Sequence, residues 1–131
     1  MNTAMKTERK RILVVDDQAS NTRLIKHYLE RTNDYVVREE NDATAALSAA
    51  EEFQPHLILL DILMPSMDGG ELAACIRANP KFKAVPIVFL SAAVTKEEVE
   101  ESRGRIGGWP ILAKPIVMSE VVACLKHHLG G

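Results

Sequence analysis

Five short aliphatic runs alternate with longer segments of helical periodicity, and this alternation constrains the fold most strongly. In chain order the runs are Ile12–Val15, Tyr35–Val37, Leu57–Leu60, Pro86–Leu90 and Ile111–Ala113. The third and fourth runs are apolar on consecutive residues, which is typical of strands covered on both faces of a parallel sheet. Parallel neighbours need long crossover connections, usually helical and right-handed. The pattern predicts an α/β domain: a doubly wound, five-stranded parallel sheet with helices on both faces.

Apolar residues at helical spacing predict four of the connecting helices. The stripes are Leu24, Ile25, Tyr28 and Leu29; Ala43, Ala46, Leu47 and Ala50; Leu72, Cys75 and Ile76; and Val121, Val122, Leu125 and Leu129. The segment from Thr95 to Ile106 is more polar, and Thr95 with Glu98 has the spacing of a capping box that starts a helix. Cys75 and Cys124 both fall on apolar helix faces without zinc-site spacing, so we expect two small buried side chains.

Length and charge exclude several classes of protein. The 131 residues suit one domain, and we expect a flexible tail over residues 1–10 and a domain over residues 11–129. Sixteen Lys and Arg against eighteen Asp and Glu argue against binding to nucleic acid or membranes through bulk charge. No apolar run approaches the ~18 residues of a membrane-spanning helix, so a cytoplasmic protein is expected. No site is expected at the histidines His27, His56, His127 and His128.

The residues that follow the first, third, fourth and fifth runs, where these predicted strands end, are candidates for a site. They are Asp16 and Asp17 after the first run, Asp61 after the third, Ser91 after the fourth and Lys114 after the fifth. Each one alone is explained by a cap, a turn or a solvated surface lysine. In a doubly wound sheet, however, ligands bind beyond the carboxyl ends of the strands, and all five residues lie at that edge. Their coincidence favours a functional site.

Three carboxylates at one sheet edge repel one another and lose hydration. A hard divalent cation relieves both penalties, and a small set of oxygen ligands with retained waters suits magnesium better than calcium. Lys114 would add a positive charge and Ser91 a hydroxyl donor. Such a site could accept a phosphoryl group on a carboxylate, with the metal and the lysine neutralising the transferred charge.

Four motifs carry a family resemblance. They are ILVVDDQ (Ile12–Gln18), LILLDILMPSMDGGEL (Leu57–Leu72), PIVFLSA (Pro86–Ala92) and ILAKP (Ile111–Pro115). Together they resemble the receiver domain of the response regulators of bacterial two-component systems, from about Arg11 to Leu129. The resemblance implies a flavodoxin-like receiver fold with strand order 2-1-3-4-5.

The resemblance also implies roles for the acidic residues. Asp61 corresponds to the phosphoacceptor. Asp17 and, less directly, Asp16 correspond to the magnesium site, which Asp61 and the main-chain carbonyl of Leu63 complete.

The other strand-end residues also match the family pattern. Ser91 corresponds to the hydroxyl that turns toward the phosphoryl group. Lys114 corresponds to the site lysine and precedes Pro115 in an expected cis turn. The loop that shapes the site is matched by Met64, Pro65 and Gly69.

Two positions depart from the family pattern. Ile111 stands where the family usually has the Tyr or Phe whose ring moves on phosphorylation, and an aliphatic side chain cannot make that ring movement. Trp109 and Pro110 precede it, and Trp109 is either a packed side chain, which we favour, or an anchor on a partner surface. Leu63 and Ala93 flank the site entrance and have no group to position water, which predicts slow self-dephosphorylation.

The resemblance implies a stand-alone signalling phosphoacceptor rather than an enzyme. A sensor histidine kinase or a histidine phosphotransfer protein would supply the phosphoryl group, and a downstream protein would bind the surface of the fourth helix, fifth strand and fifth helix. The alternative is a pseudo-receiver or adaptor whose output does not depend on phosphate. A small-molecule phosphatase is disfavoured because Asp16 and Asp17 are adjacent rather than in D-x-D spacing, and flavin binding because the first loop is acidic.

Overall fold

The computed structural model describes residues 8–64, 68–101, 105–106 and 109–130. Within these residues five main strands alternate with five α-helices. The strands are β1 (Lys10–Val15), β2 (Tyr35–Glu40), β3 (Leu57–Asp61), β4 (Ile87–Ser91) and β5 (Trp109–Ala113). The helices are α1 (Ala19–Arg31), α2 (Ala46–Phe53), α3 (Gly69–Ala78), α4 (Lys96–Glu101) and α5 (Met118–Leu129). Short 3₁₀ turns cover Ala43–Ala45 and Pro80–Phe82.

The five main strands are parallel and lie in the order β2-β1-β3-β4-β5. This confirms the predicted doubly wound sheet of order 2-1-3-4-5. β1 begins at Lys10, so the strand reaches one residue into the segment expected to be a tail, of which residues 1–7 lie outside the described residues. No helix in the described part of the chain has the length and apolarity needed to span a membrane.

A two-residue strand at Arg105–Ile106 pairs antiparallel with β5, at the outer edge of the sheet. The polar segment from Thr95 to Ile106 therefore is not helical throughout: α4 covers Lys96–Glu101, and Arg105–Ile106 is a strand. The physical reason is that β5 would otherwise be an edge strand, and its free backbone N–H and C=O groups offer a partner to the segment that precedes it. The register pairs Ile106 with Trp109.

The sheet is buried on both faces, and its strands alternate between two cores. Ile12 and Val14 belong to the cluster that includes residues of α1 and α5, whereas Leu13 and Val15 belong to the cluster that includes residues of α2 and α3. Every residue of β3 and β4 is buried, as their unbroken aliphatic runs predict. Two covered faces leave the strand ends as the place where polar side chains can gather.

The buried face of α1 differs from the predicted stripe. Leu24 and Tyr28 are 46% and 45% exposed, while Thr22 is fully buried beside Ile25. The Thr22 hydroxyl lies 2.8 Å from Oε1 of Glu39 on β2, and this hydrogen bond draws a polar residue to the inner face. The buried face of α1 therefore consists of Thr22, Ile25 and Leu29 and includes only part of the predicted apolar stripe.

The two cysteines do not share one environment. Cys75 is exposed on α3, so the prediction of a buried side chain is wrong there. The buried residues of α3 are Gly69, Leu72, Ala73 and Ile76. Cys124 on α5 is half-buried, and this burial raises the pKa of its thiol to about 11.

The start of α4 has the predicted capping box. The N–H of Glu98 donates to Oγ1 of Thr95 at 3.0 Å, and the N–H of Thr95 donates to Oε1 of Glu98 at 2.8 Å. These bonds satisfy two N–H groups that the first turn of a helix leaves without intrahelical partners.

The outer edge of β2 is bonded by side chains of α1. The N–H of Val37 donates to Oε2 of Glu30 at 2.9 Å, and Nζ of Lys26 donates to the carbonyl of Val37 at 2.8 Å. Lys26 and Glu30 also form an i,i+4 ion pair at 3.3 Å. The N–H and the C=O of Val37 are thus both hydrogen-bonded to side chains of α1 rather than to a neighbouring strand.

Trp109 is a half-buried, packed residue. Its ring meets the edge of Phe89 with centroids 5.5 Å apart, and the guanidinium of Arg77 lies 5.5 Å from its centroid. One guanidinium nitrogen of Arg77 also lies within hydrogen-bonding distance of the carbonyls of Phe82, Lys83 and Val85. This packing supports the structural interpretation of Trp109 over the partner-anchor hypothesis.

Candidate functional site

The carboxyl ends of three strands place two acids and one base in direct contact. Asp16 follows β1, Asp61 ends β3 and Lys114 follows β5. Nζ of Lys114 lies 2.8 Å from Oδ2 of Asp16 and 3.3 Å from Oδ2 of Asp61. Asp16 and Asp61 are buried, so the lysine supplies the positive charge that two desolvated carboxylates need.

The carboxyl group of Asp61 has a raised pKa. Burial, with a smaller contribution from the charge of Asp16, raises the pKa of Asp61 to about 6, against opposing effects of the Leu63 N–H and Lys114. The Leu63 N–H donates to Oδ1 of Asp61 at 3.1 Å. A cation at this site therefore competes with a proton below about pH 6.

Lys114 stays protonated in this environment. Burial alone would lower the pKa of Lys114, but hydrogen bonds to Asp16 and Asp61 and the charges of both carboxylates outweigh it and raise the pKa. The side chain is consequently a fixed positive charge at neutral pH. The peptide bond from Lys114 to Pro115 is cis, as expected.

The carboxylate of Asp16 is held from two sides. Its Oδ1 accepts the N–H of Gln18 at 2.9 Å, and its Oδ2 accepts Nδ2 of Asn21 at 3.2 Å in addition to Lys114. The same Asn21 nitrogen donates to Oε1 of Gln18 at 2.8 Å. Gln18 and Asn21 are not predicted as site residues from the sequence, since neither stands at a strand end.

A second asparagine holds the main chain at Asp16. Nδ2 of Asn41 donates to the carbonyl of Asp16 at 2.7 Å and to Oγ1 of Thr22 at 3.0 Å. This residue is not predicted from the sequence either. No local motif marks Asn41, because it reaches Asp16 only through the pairing of β1 with β2.

Asp17 completes a group of three carboxylates. It is exposed, and within the described residues its side chain has no hydrogen-bond or ion-pair partner. One carboxylate oxygen each from Asp16, Asp17 and Asp61 lie within 4.8 Å of one another. Two buried acids and one exposed, unengaged acid provide hard oxygen ligands with access to water, a donor set that fits magnesium.

The start of α3 packs closely against the end of β3. The N–H of Gly69 donates to the carbonyl of Ile62 at 3.0 Å, and a Cβ at Gly69 would lie 2.6 Å from the carbonyl oxygen of Asp61. Only glycine permits this approach. Met64, which the sequence also assigns to this loop, is buried, whereas Pro65 lies outside the described residues.

Ser91 and the two flanking positions line the approach to the acidic group. Ser91 ends β4, is buried, and its Oγ accepts the N–H of Ala93 at 3.0 Å. Leu63 is 61% exposed and Ala93 is also exposed. The structure thus brings the five predicted strand-end residues to one edge of the sheet, with two apolar residues beside them.

Two solved structures that this chain resembles are bacterial signalling domains. The chemotaxis protein CheY4 of Vibrio cholerae superposes with a TM-score of 0.77 at 27% identity, covering 92% of this chain and 98% of that chain. The receiver domain of a histidine kinase from Syntrophus aciditrophicus gives 0.75 at 27% identity, covering 93% and 91%. The flavodoxin-like receiver fold predicted above is thereby confirmed.

Sequence comparison defines the family. The profile of the response regulator receiver domain matches residues 12–126, and the chain belongs to this family of two-component signalling domains. Phosphorylation and magnesium binding are typical of it.

The relatives differ in length. The transcriptional regulatory protein ResD of Bacillus subtilis is 39% identical over 121 residues, which are 92% of this chain and 48% of that protein. The polar-differentiation response regulator DivK of Brucella anthropi is 29% identical over 122 residues, covering 92% and 97%. The chain thus spans about half the length of ResD and nearly all of DivK.

Proposed function

We propose that this receiver domain accepts a phosphoryl group on Asp61 and transmits a signal through its surface. One observation carries the proposal: Lys114 joins two buried carboxylates, Asp16 and Asp61, at the carboxyl edge of the sheet. A buried acid next to a fixed cation and beside an exposed acid is costly to maintain for stability alone. The arrangement suits transfer of a charged group to Asp61.

In the proposed reaction, an oxygen of Asp61 attacks the phosphorus of a phosphohistidine on a sensor histidine kinase or a phosphotransfer protein. The new P–O bond forms as the P–N bond breaks, and the imidazole leaves with the bonding electron pair. Lys114, whose Nζ lies 3.3 Å from Asp61 Oδ2, balances charge on the transferred group. The N–H of Leu63 holds the other oxygen of Asp61.

Asp17 and Asp61, with Asp16 and the main-chain carbonyl of Leu63, would hold a magnesium ion. When bound, the ion supplies positive charge to the phosphoryl oxygens and screens the acids from one another. The proposal is supported by the spacing of the carboxylate oxygens and by the exposure of Asp17.

The signal would leave through the surface of α4, β5 and α5, toward a protein partner rather than nucleic acid or a membrane. Ser91 would donate its hydroxyl hydrogen to the new phosphoryl group and thereby shift the backbone at the end of β4. The short α4 begins five residues later, so this shift would reach it directly. The cytoplasm, where ATP-dependent kinases act, is the compartment that this function implies.

Intact-mass measurement after incubation with acetyl phosphate and magnesium tests the proposal. We expect the wild type to gain one phosphoryl group and Asp61→Asn to gain none. Asp34→Asn, which alters an exposed aspartate elsewhere, should label like the wild type. Adding EDTA should abolish labelling. Equal labelling of wild type and Asp61→Asn would refute the assignment of Asp61.

The adaptor alternative has one specific observation in its favour. Ile111 is buried in the core cluster, so the usual ring movement cannot carry the signal. Beryllofluoride with magnesium imitates the phosphoryl group and separates the two functions. Amide chemical-shift changes that extend from Asp61 to α4 support a phosphate-dependent receiver, whereas an unchanged spectrum supports the adaptor.

A further inference from the structure

The side-chain amide of Asn41 has one orientation that fits its hydrogen-bond partners. Its Nδ2 donates to the carbonyl of Asp16 and to Oγ1 of Thr22, at 2.7 and 3.0 Å. The Thr22 hydroxyl accepts this bond and has two acceptors for its own hydrogen, Oε1 of Glu39 at 2.8 Å and the carbonyl of Ala19 at 3.2 Å. Both amide hydrogens are used, and a flipped amide would set two oxygens against each other at Asp16. The orientation of Asn41 is therefore determined.

The carbonyl that Asn41 holds belongs to the peptide group that joins Asp16 to Asp17. The side chain of Asp17 has no partner among the described residues, so only the backbone can orient it. On the other side of Asp17, the N–H of Gln18 is held by Oδ1 of Asp16. Both peptide groups that flank Asp17 are thus held by a hydrogen bond. In the described residues, Asn41 is the only side chain that donates to the carbonyl of Asp16.

We infer that Asn41 is a positioning residue for the proposed magnesium site, because it orients the exposed ligand Asp17 through the carbonyl of Asp16. This inference rests on the proposed function and deepens it. Asn41 carries no charge, and its side-chain hydrogen bonds go to the Asp16 carbonyl and to Thr22 rather than to a carboxylate of the proposed site. Its contribution is preorganisation: without it, the peptide group between Asp16 and Asp17 loses the hydrogen bond to its carbonyl, and ion binding must restrict the motion that this bond had restricted.

Calorimetric titration with magnesium chloride, without any phosphodonor, tests the inference. We expect Asn41→Ala to bind magnesium about five- to tenfold more weakly than the wild type, which corresponds to one lost orienting hydrogen bond. Thr44→Ala is the matched control, because it removes an uncharged hydroxyl from the same loop. That hydroxyl donates to Oδ1 of Asp42 and not to Asp16, so affinity should stay within about twofold.

A second pair of variants keeps the test informative if Asn41→Ala does not fold. Thr22→Val removes the hydroxyl that holds the second hydrogen of Asn41, and Thr22→Ser retains it. We expect Thr22→Val to bind magnesium about threefold more weakly than Thr22→Ser. In the double variant that combines Asn41→Ala with Thr22→Val, the two losses of magnesium affinity should be less than additive, because both act through the same series of hydrogen bonds.

The outcomes separate the two proposals. If the wild type binds magnesium and Asn41→Ala binds it equally well, the positioning role is overturned while the proposed function stands. Equal affinities of Thr22→Val and Thr22→Ser would overturn the role in the same way. If the wild type itself does not bind magnesium, the metal part of the proposed function is overturned, and the role of Asn41 with it.

Discussion

Nζ of Lys114 lies 2.8 Å from Oδ2 of Asp16 and is closer to this carboxylate than to that of Asp61. The lysine thus occupies, without metal, a place among the same acids that a cation would use. A positive charge there opposes the entry of a second one. The proposed function therefore implies that the lysine and magnesium oppose each other in binding while both would assist phosphoryl transfer.

Lys114→Met should separate these two effects. We expect magnesium to bind about three- to tenfold more tightly, since a nearby positive charge is lost, while phosphorylation by acetyl phosphate slows sharply. Calorimetry measures the first effect and intact mass the second. Lys81→Met, which removes an exposed lysine of the Pro80–Phe82 turn, is the charge control. Weaker magnesium binding by Lys114→Met would contradict the competition.

Asp61→Asn should stabilise the metal-free protein at neutral pH. Because the pKa of Asp61 is about 6 in the folded protein and 3.8 ordinarily, the folded state binds more protons between these values. Asp61 therefore contributes stability below pH 3.8 that is lost as pH rises through about 6. The Asn variant avoids this loss.

Urea unfolding in EDTA measures this effect of Asp61→Asn. The variant should match the wild type near pH 4 and exceed it by about 1 to 2 kcal/mol at pH 7.5. Magnesium should reduce the difference, because it stabilises the wild type more. A difference in unfolding free energy that does not grow with pH would show that burial does not disfavour the ionised form of Asp61.

The titration of His56 should lower the free energy of unfolding of the protein in mild acid. Its Nδ1 accepts the N–H of Arg11 at 2.9 Å, and burial, followed by the charges of Arg11 and Lys10, lowers the pKa of His56 from 6.5. The unfolded state therefore takes up a proton first as pH falls. The stability from His56 is fully present above pH 6.5 and is lost as pH drops through the lowered value.

Two variants of His56 isolate this effect. His56→Asn retains an acceptor near the Nδ1 position without a titrating ring, so it should keep the stability at pH 7.5 and lose less of it at pH 5.5 than the wild type. His56→Ala should cost about 1 kcal/mol at pH 7.5, because the Arg11 N–H loses its partner. Urea unfolding at both pH values tests these expectations. Parallel dependence of the unfolding free energy on pH in the wild type and His56→Asn would disprove the role of His56.

Leu63→Asn should speed the loss of the phosphoryl group. Leu63 is 61% exposed beside Asp61, and its apolar side chain cannot orient an attacking water. An amide at this position can, so we expect about a three- to tenfold faster decay of the phosphorylated protein after the donor is removed. Leu63→Ala remains apolar and should decay like the wild type; equal rates for Asn and Ala would refute the explanation.

The strand-end residues could be predicted from sequence because a strand covered on both faces reads as an unbroken aliphatic run. The first polar residue after such a run, as at Asp61 or Ser91, marks the sheet edge. The residues that support the site could not be predicted in this way. Asn41 meets Asp16 only after β1 and β2 pair, and no local pattern encodes that contact.

Hydrophobic periodicity also fails where a polar contact decides which helix face is buried. Leu24 and Tyr28 have the spacing of a buried stripe but are exposed, whereas Thr22, which is bonded to Glu39, is buried with Ile25 and Leu29. The same limit applies after α4, where Ile106 continues an apparently helical segment. Pairing with the free edge of β5 determines its structure instead.

The bonds from α1 to Val37 have a consequence for association between chains. A strand at the edge of a sheet normally offers a template on which another chain can add a strand. At Val37 both backbone groups are already engaged by Lys26 and Glu30. An incoming strand would have to break these two bonds before forming its own, so α1 protects this domain against edge-to-edge aggregation.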